Sequence, residues 1–210
     1  MKNKGISLGT VRKLDASILP AYKQLLKQHS PKARRTLDVL SASGDELADS
    51  NPFACVELQN SGILPAGTRL ATRDDLELAL KHEDGQAYLR NRYVDVGLAL
   101  RPASDSYKLN DLLAKILAKQ LKQQGIALGN GVLIPFAALT QEDNEKSDYG
   151  LVFNLKLNVS SFVTSLALYD WNYDGGRGLS RAVLGGVADW GSDGGNLASF
   201  SGGGRVIVVR

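Results

Sequence analysis

Cysteine is nearly absent. Cys55 alone excludes an internal disulfide and a thiolate cluster for zinc, and its expected role is that of a small buried hydrophobe. No run of about eighteen apolar residues exists, so no helix is expected to insert into a membrane. Met1-Lys2-Asn3-Lys4 is not followed by an apolar stretch, so no secretory signal is read there and a cytoplasmic or particle-borne protein is expected. Histidine amounts to His29 and His82, far apart and without a partner pattern for a metal site or a base; both are expected to be exposed. Ser180 lies between Leu179 and Arg181, outside any G-x-S-x-G context. Gly185-Gly186 and Gly194-Gly195 do not join a strand to a helix, so no phosphate cradle is read. Asp74-Asp75 and Glu142-Asp143 read as a helix start and a solvated loop. No catalytic residue emerges, and an enzyme is not expected.

The C-terminal quarter has absences of its own. From residue 157 onward there is no Lys, Glu, Gln, Met, Cys, His or Pro, and the charges are Asp and Arg only. An ordinary exposed surface of that length would carry Lys and Glu, although β structure depletes both.

What is present describes a globular chain. A hydrophobic content of 43% suits a buried core, and 210 residues suit one domain with or without an N-terminal appendage. The net charge of +3 is unevenly spread. Residues 1–36 carry nine Lys or Arg against Asp15 alone, a local +8 that leaves −5 for the rest. Such a leader could touch nucleic acid, but Tyr22 is its one aromatic residue available to stack on bases, so a solvated arm is the preferred reading. We divide the chain into 1–68, a basic segment with a linking loop that could belong to the same domain, and 69–210, the principal domain.

Along the chain, Ile18–Gln28 reads as a short helix ending near His29-Ser30-Pro31. Residues 41–68, rich in Ser, Gly, Asn, Asp and Pro, read as a loop with little regular structure. Thr72-Arg73-Asp74-Asp75 opens a helix with a Thr cap and acids in its first turn. Tyr93–Arg101 is a strand. Asn110 is expected to cap the longest helix, Asp111 to Gln124, which ends at Gly125. Val132–Leu139, Tyr149–Leu157, Phe162–Tyr169 and Arg205–Val209 have strand length and apolar content. That order predicts an α+β fold.

Half of the 22 glycines fall between Gly175 and Gly204, where they favour tight turns and short strands ordered by a surrounding scaffold. Randomising the adenines of AAC codons yields Asn, Asp, Ser, Gly, Ala, Val, Thr, Tyr and Phe but never Lys, Glu, Gln, Met or Trp, which suits this composition. The segment LSRAVLGGVADWGSDGGNLASFSGGGRVIVV resembles the C-terminal region of variable proteins of diversity-generating retroelements, particularly archaeal and related types. Leu179-Ser180-Arg181 and Gly204-Arg205-Val206-Ile207-Val208-Val209 match the two fixed ends, and Leu197 and Ala198 fit framework positions. The likeness is strongest over about thirty C-terminal residues. Trp190 cannot arise from an AAC codon and departs from the variable pattern.

The resemblance implies a C-type-lectin-like fold without disulfides, with two helices packed on short antiparallel strands and a loop-rich, glycine-rich C-terminal region as the ligand surface. The variable region would span about 182–203, on a face formed by Val183, Gly185, Val187, Asp189, Trp190, Gly191, Asp193, Gly194, Asn196, Ser199, Phe200, Ser201 and Gly203. Leu179, Leu184, Leu197, Val206 and Val208 would anchor the backbone, and Trp190, Phe200, Asp189, Asp193 and Asn196 would make most of the contact. The implied partner is a macromolecule, a protein rather than nucleic acid, bound by a monomer with no cofactor. An alternative is a structural or host-attachment component of a virus-like particle. Formylglycine-generating enzymes share the lectin-like fold, but their chemistry needs active-site cysteines, and Cys55 stands alone outside the relevant region.

Asp170, Asn172 and Asp174, followed by Gly175, have the spacing of a calcium loop. The position that should hold a bidentate Glu is Arg181, so a turn between strands is preferred to a calcium site.

Overall fold

The computed structural model describes residues 11–102, 107–171, 173–174, 178–186, 189–200 and 204–210. It is a mixed α+β structure, 37% helical and 28% strand. Six α-helices occur among the described residues: α1 (Leu19–Leu25), α2 (Pro31–Leu37), α3 (Pro52–Asn60), α4 (Arg73–Leu80), α5 (Glu83–Leu89) and α6 (Asp111–Gln123). The strands are β1 (Val11–Lys13), β2 (Ser41–Ser43), β3 (Glu46–Ala48), β4 (Arg69–Leu70), β5 (Val94–Leu100), β6 (Val132–Pro135) and β7 (Leu139–Asp143). They continue with β8 (Leu151–Leu155), β9 (Thr164–Ser165), β10 (Tyr173–Asp174), β11 (Leu179–Leu184), β12 (Trp190–Asp193) and β13 (Ile207–Val209). An architecture of two helices on strands is thereby corrected to six.

The local signals that formed elements are specific. Thr72 and Asp75 make a reciprocal capping box: the Thr72 hydroxyl accepts from the Asp75 amide, and the Asp75 carboxylate accepts from the Thr72 amide at 2.8 Å. Helix α6 buries Leu113, Leu117 and Leu121 and ends before Gly125, whose φ of +73° is the left-handed turn expected of it. Past His29-Ser30-Pro31 the chain does not stop. Ser30 caps a second helix, α2, with its hydroxyl accepting from the Ala33 amide.

Three readings of the sequence are corrected. Residues 41–68 hold the β2–β3 hairpin and α3, which Asn51 caps by accepting from the Ala54 amide at 2.8 Å. Pro52, Phe53, Ala54, Cys55, Val56 and Leu58 of α3 are all buried, and a helix enclosed over most of its surface shows no clear amphipathic stripe. Phe162–Tyr169 forms a strand only at Thr164–Ser165 before a 3-10 turn, Leu166–Leu168. Val132–Leu139 is broken by a 3-10 turn at Phe136–Ala138, after which β7 pairs with β8 in a separate ladder.

The largest sheet has the order β10-β12-β11-β5-β6-β9, antiparallel except for the parallel β10–β12 pair. Its central strand, β5, is buried along its whole length. At Gly97 the pairing with β11 slips: Ala182 faces Gly97, but Val183 faces Asp95. The slip switches faces. Val94 and Val96 enter one core cluster and Leu98 and Leu100 the other, although simple alternation would put all four together. A Cβ at Gly97 would lie 2.4 Å from the Ile134 carbonyl oxygen, so only glycine allows this approach.

A second sheet, β1-β13-β4, places the last strand between residues from the start and middle of the chain, with Val11 opposite Val209 and Val208 opposite Leu70. Leu14, Tyr22, Leu37 and Phe53 share a core with Leu98, Leu117, Phe153, Leu197 and Val206. The buried apolar residues between Leu14 and Leu58 therefore share one of the two core clusters with residues of the later chain.

Candidate ligand-recognition face

The C-terminal segment starts from strand β11, whose six residues are all buried. It turns back through β12 in the register Arg181–Asp193, Ala182–Ser192, Val183–Gly191 and Leu184–Trp190. The Gly185 amide donates to the Asp189 carbonyl at 2.7 Å and closes the connection. The five expected anchors, Leu179, Leu184, Leu197, Val206 and Val208, are all buried.

Between these anchors, scaffold side chains hold the segment by its peptide groups. The Asn110 amide nitrogen donates to the carbonyls of Leu179 at 2.9 Å and Gly195 at 3.1 Å, with Gly194 at 3.4 Å. Its oxygen accepts from the Tyr149 hydroxyl at 2.6 Å, and that hydroxyl accepts in turn from the Leu197 amide at 3.2 Å. Burial pushes the Tyr149 phenol up to about 12. Asn51 donates to the Ala198 carbonyl at 3.1 Å while also bonding the Thr36 carbonyl. The backbone contributes too: the Asn91 amide donates to Gly186, and the Arg205 amide donates to Tyr93. Asn110 is thus not the helix cap expected of it. Its backbone is helical, it makes no side-chain cap bond, and its side chain is turned toward the C-terminal segment.

Arg181 holds a further point. Its guanidinium makes a bidentate pair with Asp95 at 2.9 and 2.7 Å, and donates to the carbonyls of Ser199 at 2.9 Å and Ser50 at 3.1 Å. The Ser50 hydroxyl completes the Asp95 shell at 2.8 Å. Burial works against the charge, but the adjacent Asp95 carboxylate outweighs it and raises the guanidinium above its ordinary value. Arg181, at the end of Leu179-Ser180-Arg181, therefore grips the loop returning eighteen residues later.

The expected contact residues divide. Asp193, Asn196, Ser199 and Phe200 are exposed, with Phe200 at 59%, and Gly185, Asp189 and Gly194 are half-buried. Asp193 and Asn196 each accept from a backbone amide two residues on, Gly195 and Ala198, both at 2.9 Å. Three expectations are corrected. Val183, Trp190 and Gly191 are buried, and Trp190, only 5% exposed, packs in a core cluster with Leu76, Val96 and Leu184. Trp190 begins β12 opposite Leu184, whose side chain enters that same cluster, so its ring points inward. Val187, Ser201 and Gly203 lie outside the described residues.

The calcium-loop residues fare differently. Asp170 is exposed, the Asp174 backbone pairs with Ser192, and Asn172 lies outside the described residues. Arg181, at the position that should close the loop, is committed to Asp95. Among the described residues no group of three or more His, Cys, Asp or Glu side chains is placed to hold a metal ion. Of the basic leader, Lys13 pairs with Glu46, Lys23 pairs with Asp38, and Arg34 donates to the carbonyls of Leu26, Lys27 and His29. No helix among the described residues is long and apolar enough to cross a membrane.

His29 was expected to be exposed and alone, and it is neither. Its side chain is 16% exposed, with Nδ1 2.6 Å from Asp143 and Nε2 3.3 Å from Glu57. Glu57 and Asp143 lie far along the chain, so no local pattern could have revealed the cluster. No protein-family model, no curated protein and no solved structure matches the chain.

Proposed function

We propose that this chain is a ligand-binding protein that presents residues 185–200 as a side-chain display surface for a macromolecular partner. The reading rests on one observation: the scaffold grips this segment through its peptide groups. Asn110, Asn51 and Arg181 reach carbonyls, which every residue type possesses, and Tyr149 reaches an amide N–H, which all but proline possess. Exchange of the outward side chains therefore leaves the main chain in place, as a recognition surface diversified by mutation requires. In this copy Phe200 supplies the exposed aromatic area, and Asp193, Asn196 and Ser199 supply exposed hydrogen-bonding groups on the same segment.

The resemblance to variable proteins of diversity-generating retroelements gives this display its proposed purpose, and the C-type-lectin-like fold is the arrangement it implies. Burial of Trp190 suits that mechanism, because tryptophan is outside the adenine-mutagenesis repertoire and here belongs to the framework. The test is a library in which Gly185, Asp189, Asp193, Asn196, Ser199 and Phe200 are randomised with codons ending in C. Most members should melt within a few degrees of the parent, and selection against a panel of unrelated proteins should yield binders. A library in which most members unfold would refute the display reading. In the native gene, an adenine-rich near-copy of the segment beside a reverse transcriptase would support retroelement diversification.

A further inference from the structure

A cavity of about 150 Å³ lies between the start of α4, strands β5 and β6, and the 161–169 segment, apart from the display surface. Its apolar wall is formed by Val96, Leu133, Pro135 and Phe162. Into this wall is set one cation, Arg73, which is only 8% exposed. The Arg73 guanidinium lies 3.9 Å from the centre of the Tyr169 ring and 4.7 Å from that of Trp190. Ring contacts engage the faces of a guanidinium and leave its in-plane N–H groups for hydrogen bonds. One terminal nitrogen forms an ion pair with the Glu77 carboxylate at 2.9 Å, whereas the Nε–H is buried and has no hydrogen-bond partner among the described residues. A buried charged donor without an acceptor is costly, and in folded proteins such a group calls for an explanation.

We propose that this cavity binds a small monocarboxylate with an apolar body no larger than a benzene ring. The carboxylate supplies the acceptor that Arg73 lacks, and the apolar body packs on Val96, Leu133, Pro135 and Phe162. Thr164 and Tyr169 hydroxyls stand 2.8 Å apart, so their mutual bond uses one of two protons and leaves the other to donate to the ligand. A cavity of this size accommodates about one benzene-sized molecule. With Glu77 paired to Arg73 and Asp74 exposed in the lining, further negative charge on the ligand meets repulsion, so a dianion is excluded.

Calorimetric titration of the full chain with benzoate, benzyl alcohol and inorganic phosphate tests the site. Benzoate should bind saturably at one equivalent, about tenfold more tightly than benzyl alcohol, the increment of one charge-assisted hydrogen bond. Phosphate, with no apolar body, should not bind measurably. Arg73→Met should weaken benzoate about tenfold and leave benzyl alcohol unchanged. Phe162→Ala, at a position 52% exposed and so tolerant of truncation, should weaken both. If Arg73→Met fails to fold, the benzoate to benzyl alcohol ratio and Phe162→Ala decide alone. Absence of saturable benzoate binding overturns the proposal, as does benzyl alcohol or phosphate binding as tightly as benzoate.

Discussion

Replacing Asn110 with alanine separates two roles that the sequence alone confuses. As a helix cap, Asn110 would be worth about 1 kcal/mol. As a buried tie, its loss leaves the carbonyls of Leu179 and Gly195 and the hydroxyl proton of Tyr149 without their partner. Each interior group left unsatisfied costs about 1–3 kcal/mol, and the three share one site and relax together, so about 3–5 kcal/mol is expected. For a chain of this length that is a fall in Tm of about 10 °C. Urea denaturation measures the total, with Ser199→Ala as an exposed control that should change stability by less than about 0.5 kcal/mol. Amide exchange supplies the local readout: the Leu197 amide, bound to Tyr149, should lose protection more than amides within α6. A loss near 1 kcal/mol with Leu197 protection unchanged would return Asn110 to the role of a simple cap and remove the strongest tie on the display segment.

Two further perturbations bear on the same framework. Arg181→Leu strands Asp95 in the interior and should cost about 3–5 kcal/mol, while Arg181→Leu combined with Asp95→Leu should recover part of that loss; chemical denaturation of the single and double variants measures it, and equal losses would show that no buried-charge penalty operates. The second concerns pH. Burial opposes the charged form of His29, but Asp143 and Glu57 outweigh it and raise the imidazole above its ordinary value. A raised folded-state value means stabilisation that is complete below about 6.5, the unfolded value, and lost as pH rises through the folded value. His29→Gln should therefore cost about 0.5–1 kcal/mol more at pH 5.5 than at pH 8.5, and a gap that widens with pH would contradict the ion-pair geometry. Asp143, lowered in spite of the burial that opposes its charge because His29 and Ser30 bond it, stays charged across that window and does not confuse the comparison.

How much of this was legible in the sequence depends on how far each signal reaches. The capping box at Thr72 and the glycine stop after α6 involve neighbours within one turn and were readable directly. The anchors Leu179, Leu184, Leu197, Val206 and Val208, expected from the resemblance and not from local spacing, are buried. Helix α3 escapes such signals for the opposite reason: with six of its nine residues buried and Asn-Pro at its start, it shows no narrow apolar stripe and opens like a loop. The bulge at Gly97 leaves only the glycine itself as a mark in the sequence, since the register of the slip is a relation between two strands.

The ties on the display segment were illegible in a more instructive way. Asn110 reaches Gly195 across 85 positions and Asn51 reaches Ala198 across 147, and each ends on a peptide group that carries no sequence signature. The same anonymity that hides these bonds from sequence reading is what would let the segment vary, because nothing at the receiving end depends on the side chain. The freedom is graded all the same. Ser199 is held through its carbonyl, so its side chain is unconstrained by that bond, whereas Asp193 and Asn196 shape their own turns by accepting from Gly195 and Ala198. Asn, Asp and Ser can all make that short-range bond, and they are also among the products of adenine mutagenesis at an AAC codon. On the proposed reading, the chemistry that would diversify the surface and the turn geometry that would preserve it select overlapping sets of residues, so such a surface could change often without losing the backbone that presents it.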